Sequence, residues 1–213
     1  MKNFFYWIIW ILYFRLKYIL LKKLNSSIFS YVYKSTLGMY CGIEKGVSIY
    51  NSKIGDYTYF NKFTRAENCE IGRFTSVGEK VKIGGFYNHK NGISQHPSFH
   101  SKSPPIKVSF YKDIEFKSSK KIYIGNDVLI GSGAYILDGV KVGDGCIIGA
   151  KSIVTKSIPP YSIVVGNPGK VVKKRFDDDK VSILNKIKWW NWDFQKIKKN
   201  GQIISNTNFN SFK

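Results

Sequence analysis

Residues 124 to 159 divide into six consecutive six-residue blocks, IGNDVL, IGSGAY, ILDGVK, VGDGCI, IGAKSI and VTKSIP, each opening on Ile or Val. An α-helix cannot use this repeat, because six steps of about 100° return to about 240° and scatter the aliphatics around the cylinder. A triangular coil of short strands can. Three blocks close one turn, and the openers Ile124, Ile130, Ile136, Val142, Ile148 and Val154 point inward. The fifth places, Val128, Ala134, Val140, Cys146, Ser152 and Ile158, are small or β-branched, as a crowded corner requires. Cys146 in this register is a buried filler. Glycine follows four openers, at Gly125, Gly131, Gly143 and Gly149, and is expected to supply positive φ at the corners.

A rougher copy precedes it: IGDYTY from Ile54, FNKFTR from Phe60 and, after a slip, IGRFTS from Ile71, VGEKVK from Val77 and IGG from Ile83, with Thr58, Thr64, Thr75 and Val81 in fifth place. Residues 84–123 break the period with Ser, Lys, His, Asn and Pro. A loop of that length in a compact repeat is usually functional. The chain has 213 residues, enough for one domain with a core. It divides into an apolar, basic helical segment (1–40), the repeat domain (41–175) and a C-terminal helix and tail (176–213). Asp177, Asp178 and Asp179 suit the first turn of that helix, which carries Ile183, Leu184, Ile187, Trp189 and Trp190 and is expected to cover the end of the coil. Its tryptophans read as core.

Charge narrows the partners. Thirty-four Lys and Arg against 14 Asp and Glu give a formal +20, so an anionic partner is expected. Nucleic acid is not expected, since no zinc-finger spacing, RNP-like strand or basic recognition helix is present. Cys41, Cys69 and Cys146 are odd in number with no CxxC pair, so neither a disulfide framework nor a metal site is indicated, and a reducing cytoplasm fits. Residues 4 to 14 form an unbroken apolar run followed by Arg15, Lys17, Lys22 and Lys23. This is too short to span a bilayer, which needs about 20 apolar residues. An interfacial helix at the inner membrane face, over residues 1–30, is one reading, with Tyr6, Trp7, Trp10 and Tyr13 at the headgroup boundary. A helix packed on its own assembly is the other.

The blocks, the phrase IGNDVLIGSG, the run VTKSIPPYSIVVGNPGKVVKKRF and the Trp-rich IKWWNWD resemble the hexapeptide-repeat acetyltransferases, in the branch of type B chloramphenicol and streptogramin acetyltransferases and polysaccharide O-acetyltransferases. The likeness covers roughly residues 45 to 195. It implies an all-β fold, a left-handed parallel β-helix with a long inserted loop, an N-terminal helical segment and a C-terminal helix. It also implies a homotrimer with acetyl-CoA held between adjacent prisms and direct acetyl transfer to a hydroxyl. In such enzymes a loop histidine takes the acceptor proton. The matching phrase is Asn88-His89-Lys90-Asn91-Gly92-Ile93-Ser94-Gln95-His96-Pro97, which puts His89 in the place of the general base, a role suited to a neutral imidazole. Asn88, Ser94 and His96 then belong to the acceptor side, with His96 the reserve base or a turn anchor. Ser132, Ala150, Thr155, Lys156, Lys170 and Lys173 match acetyl-CoA positions, the lysines facing phosphates. Leu129 replaces the usual aromatic, and Gly92 replaces an acidic residue that often follows the histidine.

The function expected from these readings is O-acetylation of a bacterial surface polysaccharide or its lipid-linked precursor. Antibiotic O-acetylation is the alternative, and amine transfer on a nucleotide-linked sugar a third.

Overall fold

The computed structural model describes residue 8 and residues 16–85, 93–99, 106–111 and 120–205. The chain winds as a left-handed three-sided coil of short parallel strands. Face one stacks Asn25–Ser26, Gly42–Ile43, Tyr59–Phe60, Ser76–Val77, Leu129–Ile130, Ile147–Ile148 and Ser162–Val165. Face two stacks Tyr31–Tyr33, Ser48–Tyr50, Arg65–Glu67, Lys82–Ile83, Tyr135–Ile136 and Ile153–Val154. Face three stacks Thr36–Leu37, Lys53–Ile54, Cys69–Ile71, Ile122–Ile124 and Lys141–Val142. The first strand, Asn25–Ser26, pairs with Gly42–Ile43, so the coil begins inside the segment expected to be helical, ahead of residue 41.

The opening aliphatics fill the prism. Ile124, Ile130, Ile136, Val142, Ile148 and Val154 are all buried, as are the fifth-place residues Val128, Ala134, Cys146 and Ser152. The two halves of the coil differ in pitch along the chain. Leu129 pairs with Ile147, eighteen residues on, whereas Tyr59 pairs with Ser76, seventeen on. The slip is therefore a five-residue corner, from Ile49 to Ile54 and from Ala66 to Ile71, between faces two and three. The inserted loop leaves from that same corner. It returns earlier than residue 123, because Ile122–Ile124 already pairs with Cys69–Ile71.

The block glycines serve a purpose other than the one expected. A Cβ on Gly131 would lie 2.5 Å from the Ala150 amide nitrogen, one on Gly125 2.5 Å from Asp144 Oδ1, and one on Gly143 2.5 Å from the Pro160 nitrogen. They admit the next coil at close range. The left-handed turn falls two residues later, at Asp127, Gly133, Gly139, Gly145 and Lys151. At the corner between faces three and one of the N-terminal half it falls on Tyr40, Tyr57 and Phe74.

Those three rings stack into a ladder, with centroids 5.2 Å apart for Tyr40 and Tyr57 and 4.5 Å for Tyr57 and Phe74. The C-terminal segment covers this ladder rather than the end of the coil. It holds two helices, Asp178–Ile187 and Phe194–Ser205, in place of the single one expected, joined through a 3-10 turn at Trp189–Asn191. Asp177 caps the first, accepting from the Lys180 amide at 2.9 Å, and Lys188 ends it in a left-handed conformation. Trp189 lies 4.9 Å from Phe74, Phe194 lies 5.9 Å from Tyr40, and Tyr161, Leu184 and Trp190 form a second buried cluster. The end of face one is closed instead by Lys170–Lys174, an antiparallel partner of Ser162–Val165. Pairing a terminal strand satisfies backbone groups that a helix flank would leave open.

At the other end, helix Leu16–Lys22 lies over the first coil, with Tyr18 and Ile19 packed on the core. All three cysteines are free and buried, and burial pushes the Cys69 thiol up to about 12. Burial raises the Cys146 thiol as well, consistent with a filler role.

Candidate active site

The inserted loop is rooted on face two. Lys82–Ile83 runs into Gly84 and Gly85, both with positive φ (72° and 75°), and a Cβ on Gly84 would lie 2.4 Å from the Glu67 carbonyl oxygen. Only glycine turns the chain outward there. Beneath the root, Glu67 Oε2 accepts from both Arg65 Nη2 at 2.7 Å and Arg65 Nε at 3.2 Å. Neither residue is singled out by the repeat, since both occupy the irregular coil; the Gly-Gly dipeptide beyond them was the available turn signal.

Asn88 and His89 lie outside the described residues. Ser94 and His96 are described. The Ser94 hydroxyl accepts from the His96 amide at 3.2 Å, and His96 Nδ1 accepts from the Ser98 amide at 3.3 Å, opening the 3-10 turn Pro97–Phe99. With Nδ1 engaged as acceptor, the neutral ring carries its proton on Nε2. This is the geometry of a turn anchor. Ser98 is buried, and Phe99 stacks on Phe110 at 5.1 Å, tying the two described parts of the loop together.

The acetyl-CoA candidates flank face two on its C-terminal side. Ser132 and Ala150 sit in adjacent coils at the corner between faces one and two, where the Lys151 amide donates to the Ser132 carbonyl at 2.9 Å and the Ser132 hydroxyl accepts from the Glu79 amide at 3.1 Å. Thr155 and Lys156 follow strand Ile153–Val154 at the opposite corner, on the side from which the loop departs. Lys170 pairs with Val165 beside the first corner, whereas Lys173 pairs with Ile163 out on face one. Five of the six thus border face two, and Lys173 stands apart from them.

These residues suit the group they are assigned to. All six are exposed. Ala150 lacks a side chain that would bar a pantetheine amide from the corner backbone. Among the described residues Lys156, Lys170 and Lys173 take part in no ion pair, while the neighbouring Lys174 and Lys180 are neutralised by Asp178 and Asp177. Unpaired lysines at one end of a flat face can meet phosphates. A recess of about 490 Å³ lies elsewhere, on face three, lined by Lys53, Glu70, Tyr123, Asn126, Asp144 and Pro160 among others. It touches none of the candidates. This recess lies on face three, away from the face whose borders carry the candidates.

Comparison with known proteins identifies the family of the coil. The family model for the bacterial transferase hexapeptide (six repeats) matches residues 121–156. A chloramphenicol acetyltransferase of Klebsiella aerogenes is 35% identical over 169 residues, spanning 70% of this chain and 79% of that protein. The chain belongs to the hexapeptide-repeat acetyltransferases. A second chloramphenicol acetyltransferase, from Agrobacterium fabrum, is 35% identical over 182 residues and covers 73% of this chain and 83% of its own. Among solved structures, the N-acyltransferase AntD of Bacillus cereus, in complex with dTDP and 3-hydroxybutyryl-CoA, superposes with a TM-score of 0.61 at 22% identity over 80% of this chain and 90% of its own. The acetyltransferase domain of PglB from Neisseria gonorrhoeae, in complex with acetyl coenzyme A, gives 0.53 at 17% over 71% and 58%. At these identities the two structures establish the fold. By this family membership the chain is an acetyl-CoA-dependent acetyltransferase.

Proposed function

We propose that this hexapeptide acetyltransferase moves the acetyl group of acetyl-CoA to a hydroxyl of a bacterial surface polysaccharide or its lipid-linked precursor, working as a homotrimer in the cytoplasm at the inner membrane face. The observation that carries the acceptor class is the apolar, basic segment over residues 1–30, which an enzyme for small diffusible acceptors does not need. His89 takes the hydroxyl proton as the oxygen attacks the thioester carbonyl, and the thiolate of coenzyme A leaves and is protonated. Asn88, Ser94 and His96 shape the acceptor side. Ser132, Ala150 and Thr155 border the pantetheine arm, and Lys156, Lys170 and Lys173 supply charge to the phosphates.

A second reading, O-acetylation of an antibiotic, is favoured by the 35% identity to chloramphenicol acetyltransferases. Thiol release from acetyl-CoA separates the two when the full-length enzyme is offered surface polysaccharides, lipid-linked glycans, chloramphenicol and streptogramins in parallel. Glycan-dependent release supports the proposal; release with the antibiotics alone replaces it. His89→Ala is expected to lower kcat by about 10² to 10⁴ while acetyl-CoA binding is retained, and unchanged kcat removes His89 from its role.

A further inference from the structure

Helix Leu16–Lys22 lies across the N-terminal end of the prism with its two sides unequally used. Tyr18 and Ile19 pack on the core, while Leu16 and Leu20 face outward, Leu20 at 77% exposure. Beside them, the turn between the strands Asn25–Ser26 and Tyr31–Tyr33 puts Ile28 and Phe29 outward, Phe29 at 60%. Large apolar side chains thus stand clear of the core at one pole of the molecule. Cations ring them. Lys17, Lys23, Lys34 and Lys45 are exposed, with Lys45 Nζ 5.3 Å from the Phe29 ring centroid and Lys23 Nζ 3.1 Å from the Tyr40 hydroxyl.

The N-terminal sequence carries charge of one sign up to Glu44. No Asp or Glu occurs before Glu44, whereas Lys2, Arg15, Lys17, Lys22, Lys23 and Lys34 do. The rest of the chain carries all 14 acidic residues. Exposed apolar anchors in a segment whose charges up to Glu44 are all positive are the combination that favours an anionic bilayer surface over a protein partner, because lysine stems lie along the apolar layer while their ammonium groups reach lipid phosphates. The apolar run at residues 4 to 14 continues the same chemistry in sequence.

We infer that the N-terminal pole, through Leu16, Leu20, Ile28 and Phe29 with Lys17 and Lys23, docks the prism end-on against an anionic lipid bilayer. The docked orientation sets a height for the chemistry. Four strands of face two, from Tyr31–Tyr33 to Lys82–Ile83, separate the pole from the loop root. At a strand spacing of about 4.8 Å that is a rise of about 15 Å, with part of a helix diameter of about 10 Å beneath it. The reacting hydroxyl must therefore be presented well above the headgroups, on a glycan of several sugar rings rather than on a sugar joined directly to its lipid. This second step rests on the acceptor class proposed above; the docking itself does not. In a trimer of parallel prisms, three poles meet the same membrane and reinforce one another.

The test is cosedimentation of the full-length enzyme with vesicles of phosphatidylcholine alone and of phosphatidylcholine with phosphatidylglycerol. Binding is expected to the anionic vesicles and to weaken about tenfold or more in the Leu20→Glu, Phe29→Glu double variant at unchanged thermal midpoint. Leu20→Ser with Phe29→Ser serves if the glutamate pair does not fold. Full-length enzyme that stays in the supernatant, equal binding to both vesicle types, or undiminished binding of a folded double variant each overturns the docking. Thiol release with soluble glycan is measured alongside, so loss of docking with release intact is distinguished from failure of the acceptor assignment. Docking without preference for longer lipid-linked glycans over lipid-linked monosaccharides overturns the height argument alone.

Discussion

Thr64 holds a position where a hydroxyl does more than a methyl group could. Its Oγ1 donates to the Gly78 carbonyl at 2.7 Å and accepts from the Val81 amide at 3.1 Å, joining two coils from a fully buried site. Thr58 repeats the arrangement one coil-corner earlier, donating to the Gly72 carbonyl at 2.8 Å and accepting from the Thr75 amide at 3.3 Å. Thr64→Val keeps the shape and strips the Gly78 carbonyl and Val81 amide of this partner, so it is expected to destabilise by about 1 to 3 kcal/mol in chemical denaturation. A loss under about 0.5 kcal/mol would mean that the backbone groups re-pair. The periodicity located this residue, because a fifth place restricted to Thr, Val, Ala, Cys, Ser and Ile announces a crowded interior of small or β-branched side chains. It did not say why Thr recurs in the N-terminal half, since a hydrogen bond between coils leaves no pattern within either coil. The left-handed residues Tyr40, Tyr57 and Phe74 were equally silent: bulky side chains there contradict the preference for glycine and are held by stacking on one another.

At the scale of elements, Trp190 is the peg of the C-terminal segment. It is 2% exposed and shares a cluster with Tyr161 and Leu184, with Phe74, Phe176, Val181 and Trp189 packed around it. Trp190→Ala removes most of that contact and is expected to cost about 3 to 5 kcal/mol locally. Because the prism has its own separate core, the loss should appear as rapid amide exchange across residues 178–205 while the coil stays protected. Uniform loss of protection through both regions would show that the helices and the coil unfold as one unit. Acidic residues and apolar spacing marked a helix here from the sequence, yet its docking place was misread. An end of a β-helix looks open on paper, but strand Lys170–Lys174 occupies it, and the VVKK string carries no alternation because every residue in it is exposed. The corner ladder that attracts the helices is assembled from residues seventeen apart, a spacing visible only once the pitch is known.

For the whole molecule, the proposed trimer decides which chains share a site. Face two carries the loop root and five of the six acetyl-CoA candidates along its borders, and in the proposed trimer a neighbouring copy would stand against it. In a cyclic trimer each interface is heterologous, joining different surfaces of adjacent chains, so the proposed site would take its loop from one chain and its acetyl-CoA edge from the next. That arrangement predicts complementation. His89→Ala removes the proposed base, and Ala150→Trp fills the exposed corner proposed for pantetheine; each variant alone is expected to be folded and nearly inactive. Mixed at equal amounts during co-expression, a site regains function when its loop comes from the Ala150→Trp chain and its edge from the His89→Ala chain. Random assembly of heterologous interfaces makes that about one quarter of sites, so thiol release should recover to about one quarter of wild type. Activity that stays at the level of the separate variants, in mixed trimers verified by mass, would place base and edge on the same chain, and the second prism would then serve only to shut out water. Recovery near one quarter would establish that no isolated chain holds a complete site, and would explain why one sequence and one prism show the candidates spread over two borders of a face.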